Sequence, residues 1–212
     1  MKPFYFDLDG PILDVSEKYY RVYFDILKSE GYDVIDKNRY WNAKRSKVPE
    51  IEILKWTEAS SIYKEYKLKR IDLIESESYQ QFDQLHPGAV EILNEFSSQF
   101  NLKLVTLRSS KDQTLRQLEQ LDILPFFSQV LSRSGDSNPE KWKIKVDLIR
   151  ELEGEFQLGT SFIGDTETDI KAAKAIGAVS FAVESGIRSR ELLEKESPDY
   201  IISGIEGLRQ YF

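Results

Sequence analysis

Four aspartates stand in two pairs far apart in the chain: Asp7 and Asp9 in Phe6-Asp7-Leu8-Asp9-Gly10, and Asp165 and Asp169 in Gly164-Asp165-Thr166-Glu167-Thr168-Asp169. Each pair follows a short apolar run, Phe4 to Phe6 and Phe162 to Ile163, so each sits where a buried strand ends. Residues two apart in an extended segment point to one side, which lets Asp7 and Asp9 face one site, and Gly10 frees the backbone to turn after them. Asp165 and Asp169 are four apart, so a helix starting near Thr166 or Glu167 brings Asp169 round toward Asp165. Four carboxylates at one edge repel each other and demand a cation. A site of oxygen ligands alone suits magnesium better than zinc or copper.

Each pair has a plainer reading when taken alone. Asp-Gly is a common turn, and aspartates at a helix start cap it and favour its dipole, worth about 1 kcal/mol together. Other residues add to the picture. Leu104-Val105-Thr106-Leu107-Arg108-Ser109-Ser110 is an apolar strand ending in a hydroxyl, then polar residues that open a helix. A hydroxyl and free amides there form a cradle for phosphate, although a satisfied strand-end threonine is also common. Lys141, Lys143 and Lys145 lie just before or at the start of the helix that precedes the Gly164-Asp165 strand, and one of them could reach a bound anion. The lone His86, beside Pro87-Gly88, reads as part of a hinge rather than as a catalytic group.

The elements that must position these residues follow from periodicity. Residues 15–86 are rich in Tyr, Trp, Lys and Glu, with Tyr20, Phe24, Leu27, Ile51, Leu54, Ile71 and Ile74 recurring at helical spacing and no good strand. From His86-Pro87-Gly88 onward helix and strand alternate. Helices are expected at Ala89 to Gln99, Gln113 to Leu121, Lys145 to Leu152 and Asp169 to Ile176. Strands are expected at Leu102 to Thr106, Gln129 to Ser132, Ser161 to Ile163, Ser180 to Val183 and Tyr200 to Ile202. Such alternation implies an α/β fold with a doubly wound, Rossmann-like parallel sheet. The first strand precedes the helical block and the others follow it. The chain therefore divides into a core of residues 1–14 and 87–212 and an inserted helical cap of residues 15–86.

Composition excludes several classes. The chain has 212 residues, 41% of them apolar, which supports a well-buried core in one domain or one domain with an insertion. A net charge of -7 argues against an extended nucleic-acid face. With no cysteine and one histidine, disulfides, thiolate chemistry and clustered histidine metal sites are all excluded. No apolar segment is long enough for a signal peptide or a membrane span, so a cytoplasmic protein without membrane or nucleic-acid partners is expected.

The ordered series FDLDG, LVT, a lysine and GDTETD resembles the haloacid dehalogenase-like superfamily of phosphotransferases over residues 1–14 and about 87–212. The stretch from Gly164 to Gly177 is especially similar to the family's last motif and following helix. Residues 15–86 resemble the helical cap of its phosphoglycolate phosphatase-like and phosphomutase-like members. The resemblance implies a magnesium-dependent phosphatase for a small phosphorylated metabolite. Asp7 is then the nucleophile that forms an aspartyl-phosphate, and Asp9 the acid and base. Magnesium falls to Asp7, the Asp9 main-chain carbonyl and Asp165, with Asp169 binding or orienting that shell. Thr106 and a lysine hold the phosphoryl oxygens.

The sequence departs from the family's pattern at three places. Pro11 fixes φ and removes an amide where the loop bends. The lysine lacks the frequent following proline, and aligning Leu148, Ile149 and Leu152 as the buried helix face favours Lys143 over Lys141 and Lys145. Arg108 occupies a position usually small and polar, and solvent exposure or structural pairing is expected there ahead of an anion contact. These departures keep open a non-catalytic module that binds a phosphorylated ligand or a protein, beside a phosphomutase of the same fold. A dehalogenase or a signalling receiver domain fits less well, because Asp9 serves phosphoester chemistry and receivers lack so large an insertion.

Overall fold

The computed structural model describes residues 1–135 and 140–212. Strand β1 (Pro3–Phe6) runs through a tight turn into β2 (Leu13–Asp14). Five helices follow: α1 (Ser16–Ser29), α2 (Lys37–Arg45), α3 (Glu50–Lys55), α4 (Tyr63–Ile74) and α5 (Glu77–Gln80). The chain returns through β3 (Gln84–Leu85) and then alternates: α6 (Ala89–Ser97), β4 (Asn101–Thr106), α7 (Lys111–Gln120), β5 (Gln129–Ser132), α8 (Lys141–Glu153), β6 (Ser161–Gly164), α9 (Glu167–Ala175), β7 (Val179–Val183), α10 (Arg190–Lys195) and β8 (Tyr200–Ile202).

Six strands form one parallel sheet in the order β5-β4-β1-β6-β7-β8. The alternation along β1 divides the core between the sheet's two faces. Phe4 and Phe6 pack with Leu104, Ile163 and Phe181 under the α6 side chains Ile92, Leu93 and Phe96. Tyr5 packs on the other face with Val105 and Phe162, against Ile149 of α8 and Ala172 and Ala173 of α9. Burial on both faces explains why these strands read as continuous apolar runs. The helices between β2 and β3 have their own cluster, in which the Tyr23 and Tyr40 rings stack at 4.6 Å beside Leu27, Ile53 and Leu54.

One element was hidden from the sequence. The path into and out of the helical block is a two-stranded antiparallel ribbon, with Leu13 opposite Leu85 and Asp14 opposite Gln84. Two-residue strands carry no periodicity to detect. Among the described residues, no helix is long and apolar enough to cross a membrane.

Candidate active site

The sheet order places the end of β1 between the ends of β4 and β6, so Asp7 emerges between Thr106 and Asp165. This is the point where the strand order reverses, with the crevice outside the carboxyl ends of the strands. The Asp7 amide still donates to the Ile163 carbonyl at 2.9 Å, which holds the residue to the edge of the sheet. Ligand oxygens of Asp7, Asp165 and Asp169, all buried, lie within 4.8 Å of one another. The approach is so close that a Cβ on Gly10, whose φ is +104°, would collide with the Asp165 carboxylate, as would one on Gly186.

Lys145 supplies the cation within this cluster. Its Nζ stands 2.7 Å from Asp7 Oδ1 and donates to Asp169 Oδ1 at 2.6 Å. Burial opposes its charge, yet the two carboxylates hold it protonated above the usual lysine range. The expectation of Lys143 is corrected here. Lys143 is exposed, paired with Glu140 at 2.5 Å and set against the Trp142 ring, and Lys141 is exposed at the cavity wall. The buried face of α8 runs through Lys145, Leu148 and Ile149, whereas Leu152 is 37% exposed. Taking Leu152 as a core residue turned the helix by a fraction of a turn and pointed to the wrong lysine.

Asp169 combines the two readings that its sequence position offered. It is the third residue of α9, and its Oδ2 accepts from the Thr166 amide at 3.0 Å, the Thr166 hydroxyl at 2.6 Å and the Asp165 amide at 3.2 Å. It therefore caps α9 while its other oxygen holds Lys145. Asp165 is different. Its Oδ2 accepts from the Ile187 amide at 2.6 Å, but its buried Oδ1 has no hydrogen-bond partner among the described residues. Burial, then the neighbouring Asp169 and Asp7, pushes the Asp165 carboxyl well above the usual range. Burial likewise raises Asp7, to about 7, despite Lys145. An orphaned carboxylate oxygen beside a second strained carboxylate is what an oxygen-ligated divalent cation relieves, so the residues fit magnesium.

Asp9 faces away from this cluster. Its carboxylate accepts from Arg108 Nε at 3.0 Å and Nη2 at 2.5 Å, with Lys18 at 3.7 Å. Burial would raise its pKa, but Arg108 and Lys18 overcome that and hold the carboxyl well below the usual range. Arg108 is almost wholly buried, so structural pairing, not solvent, describes it. It also donates to Asp83 at 2.9 Å and to Gln117. Asp83 Oδ2 in turn accepts from Lys18 at 2.9 Å and from Gln117 at 3.0 Å. Lys18 is on α1 and Asp83 precedes β3, so both ends of the helical block tie into the Asp9 pair. Neither had a motif to mark it. Thr106 is buried, lines the cavity, and accepts only a long contact from the Arg108 amide at 3.4 Å.

Pro11 lies in the turn where the Ile12 and Leu13 amides both donate to the Leu8 carbonyl. His86 donates its amide to the Ile12 carbonyl and stands at the ribbon's exit, with burial lowering its pKa.

The helical block closes over the site as a cap. A cavity of about 630 Å³ lies between it and the sheet edge, lined by Asp7, Asp9, Thr106, Lys145 and Asp165 below and by Tyr19, Arg70 and Ile74 from the cap. Polar contacts latch both sides. Glu75 accepts from the Ser109 amide at 2.8 Å and from its hydroxyl. Opposite, Arg45 donates to the Glu184 carbonyl at 2.6 Å, its own carbonyl accepts from the Ser189 amide at 3.0 Å, and Lys47 pairs with Glu167 at 2.7 Å.

Known proteins share both the pattern and the fold. The family model described as haloacid dehalogenase-like hydrolase matches residues 4–183. A phosphoglycolate phosphatase of Vibrio parahaemolyticus is 28% identical over 96% of this chain and 92% of its own length. A solved haloacid dehalogenase-like family hydrolase from Streptococcus pneumoniae superposes with a TM-score of 0.80 at 21% identity, covering 100% of this chain and 98% of that one. A protein assigned as a β-phosphoglucomutase from Thermotoga maritima superposes at 0.70 with 19% identity, covering 100% and 98%. At these identities the solved structures speak for the fold alone. The sequence match across most of the chain decides membership: the protein belongs to the haloacid dehalogenase-like hydrolase family, within its phosphatase-like subgroup.

Proposed function

We propose that the protein is a magnesium-dependent phosphatase that releases phosphate from a small phosphorylated metabolite through an aspartyl-phosphate on Asp7. The observation that carries this reading is the buried cluster of Asp7, Asp165 and Asp169 at the floor of the cavity beneath the helical block, with Asp165 Oδ1 left without a partner among the described residues. Asp7 attacks phosphorus as its bond to the ester oxygen breaks, and water then attacks the phosphorus of the intermediate to restore the Asp7 carboxylate. Lys145 and Thr106 hold phosphoryl oxygens, and Lys145 favours the ionised form of Asp7 and aims it. Asp7, Asp165 and the Asp9 main-chain carbonyl hold magnesium, which supplies positive charge against the phosphoryl oxygens. Asp169 orients Lys145 and the turn that presents Asp165.

Asp9 is the proton carrier in this scheme. Clamped by Arg108 it is ionised but weakly basic, and it takes the proton of the attacking water once Arg108 has let it go. To protonate a leaving oxygen it must first take up a proton and leave Arg108. The Vibrio relative's phosphoglycolate is a first substrate to try. The test measures phosphate release from an aryl phosphate and from phosphoglycolate. Turnover should need magnesium, stop with a chelator, and fall at least about 1,000-fold in Asp7→Asn. Turnover indifferent to chelator, or unchanged in Asp7→Asn, overturns the reading.

A further inference from the structure

The cap side of the cavity carries charge that the phosphoryl chemistry does not use. Arg70 of α4 and Tyr19 of α1 line the cavity opposite the carboxylates. Arg70 is 23% exposed at its side chain, and among the described residues its one ion partner is Glu50 at 3.1 Å. The contact is poorly directed, because the buried Arg70 Nε lacks a hydrogen-bond partner among the described residues. The same Glu50 oxygen accepts a hydrogen bond from Lys44 at 3.0 Å. Two cations thus share one carboxylate, and a positive charge is left over in the ceiling. At the rim the pattern repeats, with Lys47 and Arg188 sharing Glu167 at 2.7 and 2.8 Å. The Tyr19 hydroxyl makes no hydrogen bond among the described residues, although its ring is partly buried and Lys44 Nζ lies 5.5 Å from the ring centre.

We infer that Arg70, with the Tyr19 hydroxyl beside it, is the specificity-determining group of this cavity and recognises a second anionic group at the far end of the substrate. The inference rests on the phosphatase reading and adds the class of substrate to it. A phosphoryl group at Asp7 sets the rest of the molecule pointing across the cavity of about 630 Å³ toward the cap. The guanidinium fork suits a carboxylate or a second phosphate, both of which accept two parallel hydrogen bonds. A neutral tail would leave Arg70 partly desolvated and unanswered, and that is the basis of discrimination. Ile71 and Ile74 on the same helix give the short carbon chain an apolar wall.

The experiment compares kcat/KM for matched two-carbon esters: phosphoglycolate, hydroxyethyl phosphate and ethylene glycol bisphosphate. Wild type should prefer an anionic tail by roughly 30-fold over the neutral one, and whichever anionic ester is better separates a carboxylate site from a phosphate site. In Arg70→Met that ratio should fall to about one, mostly through KM, and Arg70→Lys should keep part of it. A wild-type ratio near one, or an Arg70→Met variant that slows all three esters equally, overturns the inference and leaves the phosphatase reading intact. If phosphate is released neither from any of the three esters nor from an aryl phosphate with magnesium present, both readings end.

Discussion

Lys145 is a buried ammonium between two carboxylates, and its value depends on both being ionised. Removing it leaves Asp7 desolvated without a counter-charge, a loss larger than that of any exposed pair. Lys145→Met should therefore lower kcat about 100-fold or more, while Lys143→Ala, which removes only an exposed pair, should stay within about twofold. Steady-state assays of the two variants side by side decide between them. The same comparison shows what the sequence could reveal at single residues. Asp7, Asp165 and Asp169 were legible because each follows an apolar strand, and strands β1 and β6 pair side by side. Lys145 was not, because three lysines at alternate positions differ only in which one the α8 core face turns inward. Lys18 and Asp83 had no signature, since Asp83 is 65 residues from Lys18 and 25 from Arg108, the two cations it joins.

At the scale of elements, α9 shows how a helix start becomes a working part. Thr166 and Asp169 form its capping box, and that local preference fixes the turn that presents Asp165 to the cavity. Glu167, next in line, extends the helix start toward the cap. Burial would raise its carboxyl, but Arg188 and Lys47 overcome this and lower it to about 2 from the usual 4.5. A depressed carboxyl contributes stability that is fully present above its unfolded value and is lost as pH falls toward the folded one. The Glu167→Gln variant should accordingly melt below wild type at pH 6, and the gap should narrow between pH 4.5 and 2; melting curves across that range check it. A constant gap would mean that Glu167 contributes by packing. Element types in the core were readable from alternation because each strand is buried on both faces and each helix on one. The β2–β3 ribbon was unreadable because its pairing is made between chain ends separated by the whole helical block.

The whole molecule has two apolar centres, one around the sheet and one around Tyr23 and Tyr40 in the cap, joined by polar latches over the cavity. Such a seam gives way before either centre does, which suits a site that must admit substrate and exclude water. The carboxylate floor carries strain that a divalent cation removes, so magnesium should stabilise the fold as well as activate it. At a concentration about 100 times Kd the gain is about 2.7 kcal/mol, a rise of roughly 5–10 °C in Tm for a chain of this size. Asp165→Asn should abolish that rise, and calorimetry with and without magnesium measures it directly.

The ribbon carries one more consequence. Leu13 and Leu85 are paired neighbours, so the core meets everything between them as if it were a single hairpin loop. Closure entropy grows only slowly with loop length, so the core is nearly indifferent to what is spliced in there. Asp7, Thr106, Lys145 and Asp165 all lie outside the splice, and Tyr19 and Arg70 lie within it. With the roles proposed above, the reaction lies on the two segments that flank the splice and the choice of substrate on the segment between them, exchangeable at two adjacent points.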